Sequence, residues 1–238
     1  FKLKEGKTQY RILPAHPNSP QDVASYVQQC TVHFLPYYAE EKKDGETKRV
    51  LKNRSIFNSR IHGGTKKDIV DEYIKLVYKQ EGAKITDKDE LAKRLAPVRG
   101  FKDKSGKWNS GILSASTWEF YALELTDASD PEDFDSFKFG QLSFNSTCRN
   151  GLNEILEEEA ADEMMGFDPF TDPDTGIPIT RKYDKSKQGA DAYSISLPRR
   201  AEAFPLSDEV LAKLIETPSL EERYVNSYKK KDFEKAYE

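Results

Sequence analysis

Residues that cross-link chains or bind metals are scarce in this sequence. Its 238 residues include two cysteines and three histidines. Cys30 and Cys148 lie far apart, and the sequence contains neither a Cys-x-x-Cys nor a His-x-x-x-His pair. These absences argue against a disulfide scaffold and against the common zinc modules, and they favour buried free thiols in a reducing compartment. We therefore expect neither a metal nor a cofactor.

Long hydrophobic runs are also missing. No apolar run approaches the roughly 18–20 residues of a membrane-spanning helix, and 33% of the residues are charged. The mean hydropathy is −0.78. Aromatic residues make up 11% of the chain, which is enough for a core, so global disorder is not expected. The chain starts at Phe1 without a signal-peptide pattern, and we expect it to be the ordered core of a longer protein.

Sequence patterns of catalysis are absent too. There is no P-loop and no Gly-x-Gly-x-x-Gly sequence. The acidic run around Glu157, Glu158, Asp162 and Glu163 could in principle hold two metal ions. However, consecutive acids on one helix point in different directions, so a solvated helix face is the better interpretation. We predict no catalytic residues.

Charge is strongly segregated along the chain, although the net charge is only −4. Two basic stretches, between Lys42 and Lys67 and between Lys93 and Trp108, alternate with aromatic residues. The stretch from Glu124 to Asp174 is acidic, with only Lys138 and Arg149 opposing it. Because the local field decides which partner is attracted, the acidic net charge says little against a polyanion.

Cations next to flat rings are what a protein needs to hold a single-stranded nucleic acid, since cations contact phosphates and rings stack on bases. The candidate phosphate contacts are Arg11, Lys48, Arg49, Lys52, Arg54, Arg60, Arg99, Lys102, Lys104 and Lys107. The candidate stacking residues are Tyr37, Tyr38, Trp108, Trp118 and Phe120. The alternative is that both stretches are solvated loops beside ordinary core aromatics. Trp118 and Phe120 share a strand face, so a core role for at least one is equally consistent.

The hydrophobic periodicity predicts a mainly β protein with inserted helices (α+β), built as a small Greek-key barrel with helical decorations and C-terminal helices. We predict one domain over residues 1–238, with a helical insertion at about 63–96 and a helical segment at about 205–238. The strands are expected at Thr8–Leu13, Ser25–Leu35, Arg49–Lys52, Gly111–Leu125, Ser136–Phe144, Ile177–Lys182 and Tyr193–Leu197. Asp44-Gly45 is typical of a hairpin turn. The helices are expected from Thr65 to about Gln80, from Thr86 to before Pro97, from Arg149 to Met165, and over Ser207–Ile215 and Ser219–Tyr237.

The order of several segments resembles a known family. The opening strand ending in Leu13-Pro14, and Val32-His33-Phe34 ahead of a lysine-rich hairpin, resemble the first strands of that family. The later matching segments are Trp118–Asp127, Phe137–Gly140 with its following helix, Gly176–Thr180 and Tyr193–Ile195. In this order they resemble the single-stranded DNA-binding, helix-destabilising proteins of T-even-type and related tailed phages.

The resemblance implies an OB-fold-like core that coats single-stranded DNA with little sequence preference during phage replication, recombination and repair. It further implies a location in the cytoplasm of the infected bacterial host, and contacts with replication or recombination proteins and with neighbouring copies. Several family members carry a zinc subdomain with one His and three Cys. His33 lies where that His would be, but no cysteine follows before Cys148. We therefore predict no zinc, with His33 as a polar residue on a strand face.

Two other functions are compatible with the sequence. A phage structural or assembly protein could self-associate through its bipolar charge, and a metal-dependent nuclease could use the acidic run. The choice between DNA and RNA also stays open, because stacking and phosphate contacts do not detect the 2′-hydroxyl.

Overall fold

The computed structural model describes residues 1–19, 26–43, 46–58, 61, 67–82, 85–102, 108–161, 169–187, 189–198 and 202–223. The chain divides into two compact units, the first formed by Phe1–Gln29 and Thr117–Arg223 and the second by Cys30–Ser116 and Tyr224–Glu238. The helical insertion predicted at 63–96 lies in the second unit.

The protein is a mixed α+β structure with an antiparallel sheet curled into a half-barrel, which confirms the predicted class and is compatible with a barrel core. The strands are β1 (Gly6–Ile12), β2 (Gln28–Lys43), β3 (Glu46–Phe57), β4 (Gly100–Lys102), β5 (Trp108–Ser110), β6 (Ser114–Leu125), β7 (Lys138–Phe144), β8 (Ile179–Tyr183) and β9 (Tyr193–Ser196). The helices are α1 (Ile69–Gly82), α2 (Lys88–Arg99), α3 (Ser146–Ala161) and α4 (Asp208–Glu216). No helix in the described ranges is long and apolar enough to cross a membrane. Residues 224–238, where most of the last predicted helix falls, lie outside the described part.

In the first unit, neighbouring strands pair antiparallel in the order β7-β6-β1-β8-β9. Strand β6 lies within the strand predicted at Gly111–Leu125, and every residue from Glu119 to Leu125 is buried, as both faces of a strand between two neighbours must be. Phe120 and Phe144 meet edge to face, with ring centroids 4.8 Å apart. Leu152 of α3 and Phe170 complete the same core.

A buried arginine links β1 to loops far away in the sequence. Arg11 has no exposed surface. Its Nε donates to the carbonyl of Phe204 at 2.8 Å, and its terminal nitrogens donate to the carbonyls of Ile12, Phe170 and Asp172. Loop carbonyls that lack strand partners thus obtain a charged donor, which is stronger than a neutral one.

Gly176 allows the backbone to lie close against the Arg11 guanidinium. A Cβ atom built at Gly176 would collide with the Arg11 guanidinium carbon and both of its terminal nitrogens. Any larger residue would therefore displace the buried cation. The prediction that Arg11 contacts nucleic acid is wrong, because a fully buried side chain that donates to four carbonyls offers no surface to a ligand.

Both cysteines are free and buried, as predicted. Burial raises the pKa of the Cys148 thiol to about 11. At neutral pH the thiol is therefore almost entirely protonated, and since the thiolate is the nucleophile, Cys148 is chemically inert in the folded protein.

Capping side chains set helix starts that differ from the predicted ones by one to three residues. Asp87, not Thr86, caps α2 through bonds from the backbone N–H groups of Asp89 and Glu90 at 2.8 and 2.9 Å. Asn145 accepts from the Cys148 N–H, so α3 begins three residues before the predicted start at Arg149. The predicted end of α2 before Pro97 is wrong, because a proline in the last turn removes one hydrogen bond only. The helix continues to Arg99, and Gly100, with φ of 89°, is its C-cap.

Replacing Arg11 tests its structural role. We expect Arg11→Ala to lower the free energy of unfolding by about 3 kcal/mol or more, because several buried carbonyls lose their donor. Urea denaturation measures the change, and Lys7→Ala, an exposed lysine on the same strand, should change it by less than about 0.5 kcal/mol. Equal effects of the two substitutions would contradict this role.

Candidate nucleic-acid interface

The second unit contains a long antiparallel hairpin that carries much of the first basic stretch. Strands β2 and β3 pair continuously from Val32 opposite Phe57 to Lys43 opposite Glu46. This confirms the hairpin predicted around Asp44-Gly45. The returning strand is longer than the predicted Arg49–Lys52, because it continues to Phe57.

The register of this hairpin pairs several of the predicted site residues across its two strands. Tyr37 is paired with Lys52, and Leu35 is paired with Arg54. Directly opposite residues in an antiparallel pair have Cβ atoms about 4.5–5.5 Å apart. A candidate stacking residue and a candidate phosphate contact thus occupy one position of the ladder. Tyr38, by contrast, is paired with Leu51.

The tip of the same hairpin is less favourable for an anion than the sequence indicated. Glu40 is paired with Arg49, and Glu41 is paired with Lys48. Glu40 and Glu41 come before the basic stretch in sequence, but the pairing of the two strands places them opposite residues of that stretch. Cross-strand pairs of opposite charge attract each other, so this register places an acidic residue opposite Arg49 and another opposite Lys48.

A second, shorter hairpin pairs a lysine of the other basic stretch with the tryptophan at the end of that stretch. Strands β4 and β5 pair antiparallel, with Lys102 opposite Trp108. This is the same combination of lysine and aromatic residue as in the longer hairpin. Of the other predicted contacts, Arg60, Lys104 and Lys107 lie outside the described residues.

Arg99 ends α2 in an exposed position and contacts α1. Its Nε donates to the Tyr78 hydroxyl at 2.5 Å, and its guanidinium carbon lies 5.2 Å from the centre of the Tyr78 ring. This cation–π contact holds the side chain against the helix pair. Arg99 therefore presents a cation whose position is fixed by Tyr78.

The two predicted stacking residues on β6 belong to the core of the first unit. Phe120 has no exposed surface and contacts Phe144, so its predicted stacking on a base is wrong. Trp118 is half-buried and packs against the same core. The alternative prediction, a core role for at least one of Trp118 and Phe120, is confirmed for Phe120.

His33 was predicted as a polar residue on a strand face, and the structure buries it completely. Its Nε2 lies 3.3 Å from Asp68 Oδ1 and 3.6 Å from Asp71 Oδ1. Asp68 caps α1, with one carboxylate oxygen accepting from the N–H groups of Val70 and Asp71. The sequence predicts a helix that starts at Thr65, which places Asp68 inside the first turn instead of at the cap.

The cluster of His33, Asp68 and Asp71 is the one group of possible metal ligands found among the described residues. The acidic run considered for a nuclease is different. Glu157 and Glu158 are exposed neighbours on α3, and Asp162 and Glu163 lie outside the described residues. Successive helix residues project about 100° apart, so these two neighbours do not converge on one ion.

A groove of about 650 Å³ in the first unit has mixed charge. Lys4 and Lys7 line it together with Glu124 and Asp127. Lys4 Nζ lies 2.5 Å from Glu124 Oε1, and this hydrogen bond raises the pKa of Lys4. Because carboxylates share the groove with the lysines, it is a poorer place for a nucleic-acid backbone than the hairpins.

Comparison with known proteins adds no identification, since neither a protein-family model nor a curated protein matches the chain.

The placement of Phe120 in the core leads to a prediction. We expect Phe120→Leu to lower the free energy of unfolding by about 1–2 kcal/mol, because the smaller side chain leaves space beside Phe144. Thermal unfolding followed by circular dichroism measures this. Affinity for a single-stranded oligonucleotide should stay within error of the parent protein, and a selective loss of affinity with unchanged stability would return Phe120 to the interface.

Proposed function

We propose that the protein binds and coats single-stranded DNA without catalysing a reaction. The observation that carries this proposal is the register of the two hairpins in the second unit. Each one pairs an aromatic residue with a lysine, Tyr37 with Lys52 and Trp108 with Lys102. Stacking rings and phosphate-binding cations are the two elements of single-strand recognition.

The physical consequences follow from these two kinds of contact. Every base has a flat face, so stacking tolerates any sequence and contributes about 1–3 kcal/mol per base. Lysine contacts with phosphates release counterions, which makes affinity dependent on salt. A protein that binds only the separated strand shifts the melting of a duplex by mass action, and no nucleotide hydrolysis is needed.

The segment order described above supports the finer part of the proposal. It favours an OB-fold-like barrel and a role in phage replication, recombination and repair, in the cytoplasm of the infected bacterial host. Other replication or recombination proteins, and neighbouring copies of the chain, are the proposed protein partners. The sequence between Glu124 and Asp174 is acidic and so opposite in charge to the basic stretches, which favours such contacts.

The contacts proposed for DNA are fewer than the sequence indicated. Lys52, Arg54 and Lys102 are the preferred phosphate contacts, and Tyr37 and Trp108 are the preferred stacking residues. Lys48 and Arg49 are secondary, because Glu41 and Glu40 are paired with them. Among these residues Trp108 is the best single test, since tryptophan provides the largest ring for stacking.

Substitutions in the hairpins test the proposal. We expect Trp108→Ala to weaken binding of a fluorescent single-stranded oligonucleotide by about 5- to 150-fold, the equivalent of one lost stacking contact. Lys52→Ala should weaken binding and reduce the slope of log affinity against log salt by about 0.7. Fluorescence anisotropy at several salt concentrations measures both quantities.

The matched control is Lys182→Ala, an exposed lysine on β8 of the first unit. It removes the same charge from the protein and should leave affinity nearly unchanged. Equal losses for Lys52→Ala and Lys182→Ala would show that net charge alone governs binding. Unchanged affinity in Trp108→Ala and Lys52→Ala would exclude the hairpins as the interface.

A further inference from the structure

The buried cluster in the second unit has the composition of a metal site. It contains an imidazole nitrogen from His33 on β2 and carboxylate oxygens from Asp68 and Asp71 at the start of α1. His33 and Asp68 are almost fully buried, and Asp71 is 22% exposed. One possible ligand atom of His33, one of Asp68 and one of Asp71 lie within 4.8 Å of one another.

The histidine ring is oriented by a backbone contact on its far side. His33 Nδ1 lies 2.9 Å from the carbonyl oxygen of Ile112. A carbonyl oxygen only accepts, so Nδ1 carries the hydrogen, and the Nε2 position faces the two aspartates. Metal-binding histidines characteristically donate their second nitrogen in this way, which fixes the tautomer and the direction of the lone pair.

Three atoms that can donate lone pairs converge around Nε2. Two carboxylate oxygens lie 3.3 and 3.6 Å from Nε2. With the hydrogen on Nδ1, Nε2 and these oxygens all present lone pairs, and a metal ion between them can accept all three. Ligands held tetrahedrally at about 2.0–2.1 Å from a zinc ion lie about 3.3–3.4 Å from one another, close to both distances.

We propose that His33 Nε2, Asp68 and Asp71 bind a divalent transition-metal ion. One imidazole nitrogen with two carboxylate oxygens suits Zn²⁺ or Mn²⁺, whereas Mg²⁺ and Ca²⁺ favour sites made of oxygen alone. The proposal replaces the sequence prediction that the protein binds no metal, and it does not rest on the proposed binding of DNA.

Asn58 lies beside the fourth position with its amide nitrogen, while its Oδ1 accepts from the Ile61 N–H at 3.3 Å. Its amide nitrogen lies 3.1 Å from His33 Nε2 and 2.9 Å from Asp71 Oδ2. Rotation of the amide group exchanges nitrogen for oxygen at nearly the same place, and this terminal torsion is soft. The rotated amide oxygen, or a water molecule, then completes a four-coordinate ion.

The ion would connect two elements of the second unit. His33 belongs to β2, and both aspartates belong to the first turn of α1 or its cap. Since the ligands come together only in the folded chain, binding contributes to the stability of the fold. The role is therefore structural, and it positions the base of the β2–β3 hairpin against the helix.

Titration of the full chain with Zn²⁺ or Mn²⁺ after chelator treatment tests the proposal. Isothermal calorimetry should show one ion per chain, and each ion should raise the midpoint of thermal unfolding. Asp68→Asn should weaken binding at least about 10-fold, the scale on which altered metal environments act. Asparagine remains a good helix cap, so this variant removes a charge while the helix start is kept.

Asp87→Asn is the matched control, because Asp87 caps α2 in the same way without a histidine among its bonded partners. It should bind metal like the parent chain. If Asp68→Asn does not fold by circular dichroism, Asp71→Asn takes its place, since Asp71 does not cap the helix. The proposal is overturned if the parent chain binds neither ion more tightly than these variants.

Discussion

The antiparallel register of the second unit is the constraint on which the proposed interface depends. Side chains alternate between the faces of a strand, so a shift by one residue would move each of them to the other face. With the observed register, Tyr37 is opposite Lys52 and Trp108 is opposite Lys102. The same register pairs Glu40 and Glu41 with Arg49 and Lys48, which limits how much of the basic stretch an anion can use.

Local patterns predicted much of the secondary structure. The apolar residues around Phe120 predicted the strand at Gly111–Leu125, and Asp44-Gly45 predicted the hairpin. The wrong predictions about candidate site residues occur where a tertiary contact overrides the local sequence pattern. Nothing in the sequence near Arg11 shows that it is buried, because its acceptors are carbonyls of residues near 170 and at 204. From sequence alone, a buried basic residue on a strand cannot be distinguished from one that contacts phosphate, because the loops that bury it are distant in the chain.

The histidine cluster shows the same limit for the candidate sites. His33 and Asp68 are 35 positions apart, and their spacing matches no metal-binding sequence pattern. The fold brings them together because the hydrogen bond to Ile112 orients the ring and Asp68 caps the helix that packs nearby. Both polar groups that sequence analysis assigned to a surface, Arg11 and His33, organise the interior instead. The proposed interface for DNA is correspondingly smaller than the sequence predicted, and we propose that it lies on the hairpins.

The most direct test of the account is a titration of a fluorescent single-stranded oligonucleotide at several salt concentrations, with the matching duplex as control. The account predicts much tighter binding to the single strand than to the duplex. It also predicts a slope of log affinity against log salt of about −2 to −3.5, as expected for roughly three to five phosphate contacts. No binding at low salt, or equal affinity for the duplex, would contradict the claim that the hairpins hold a single strand.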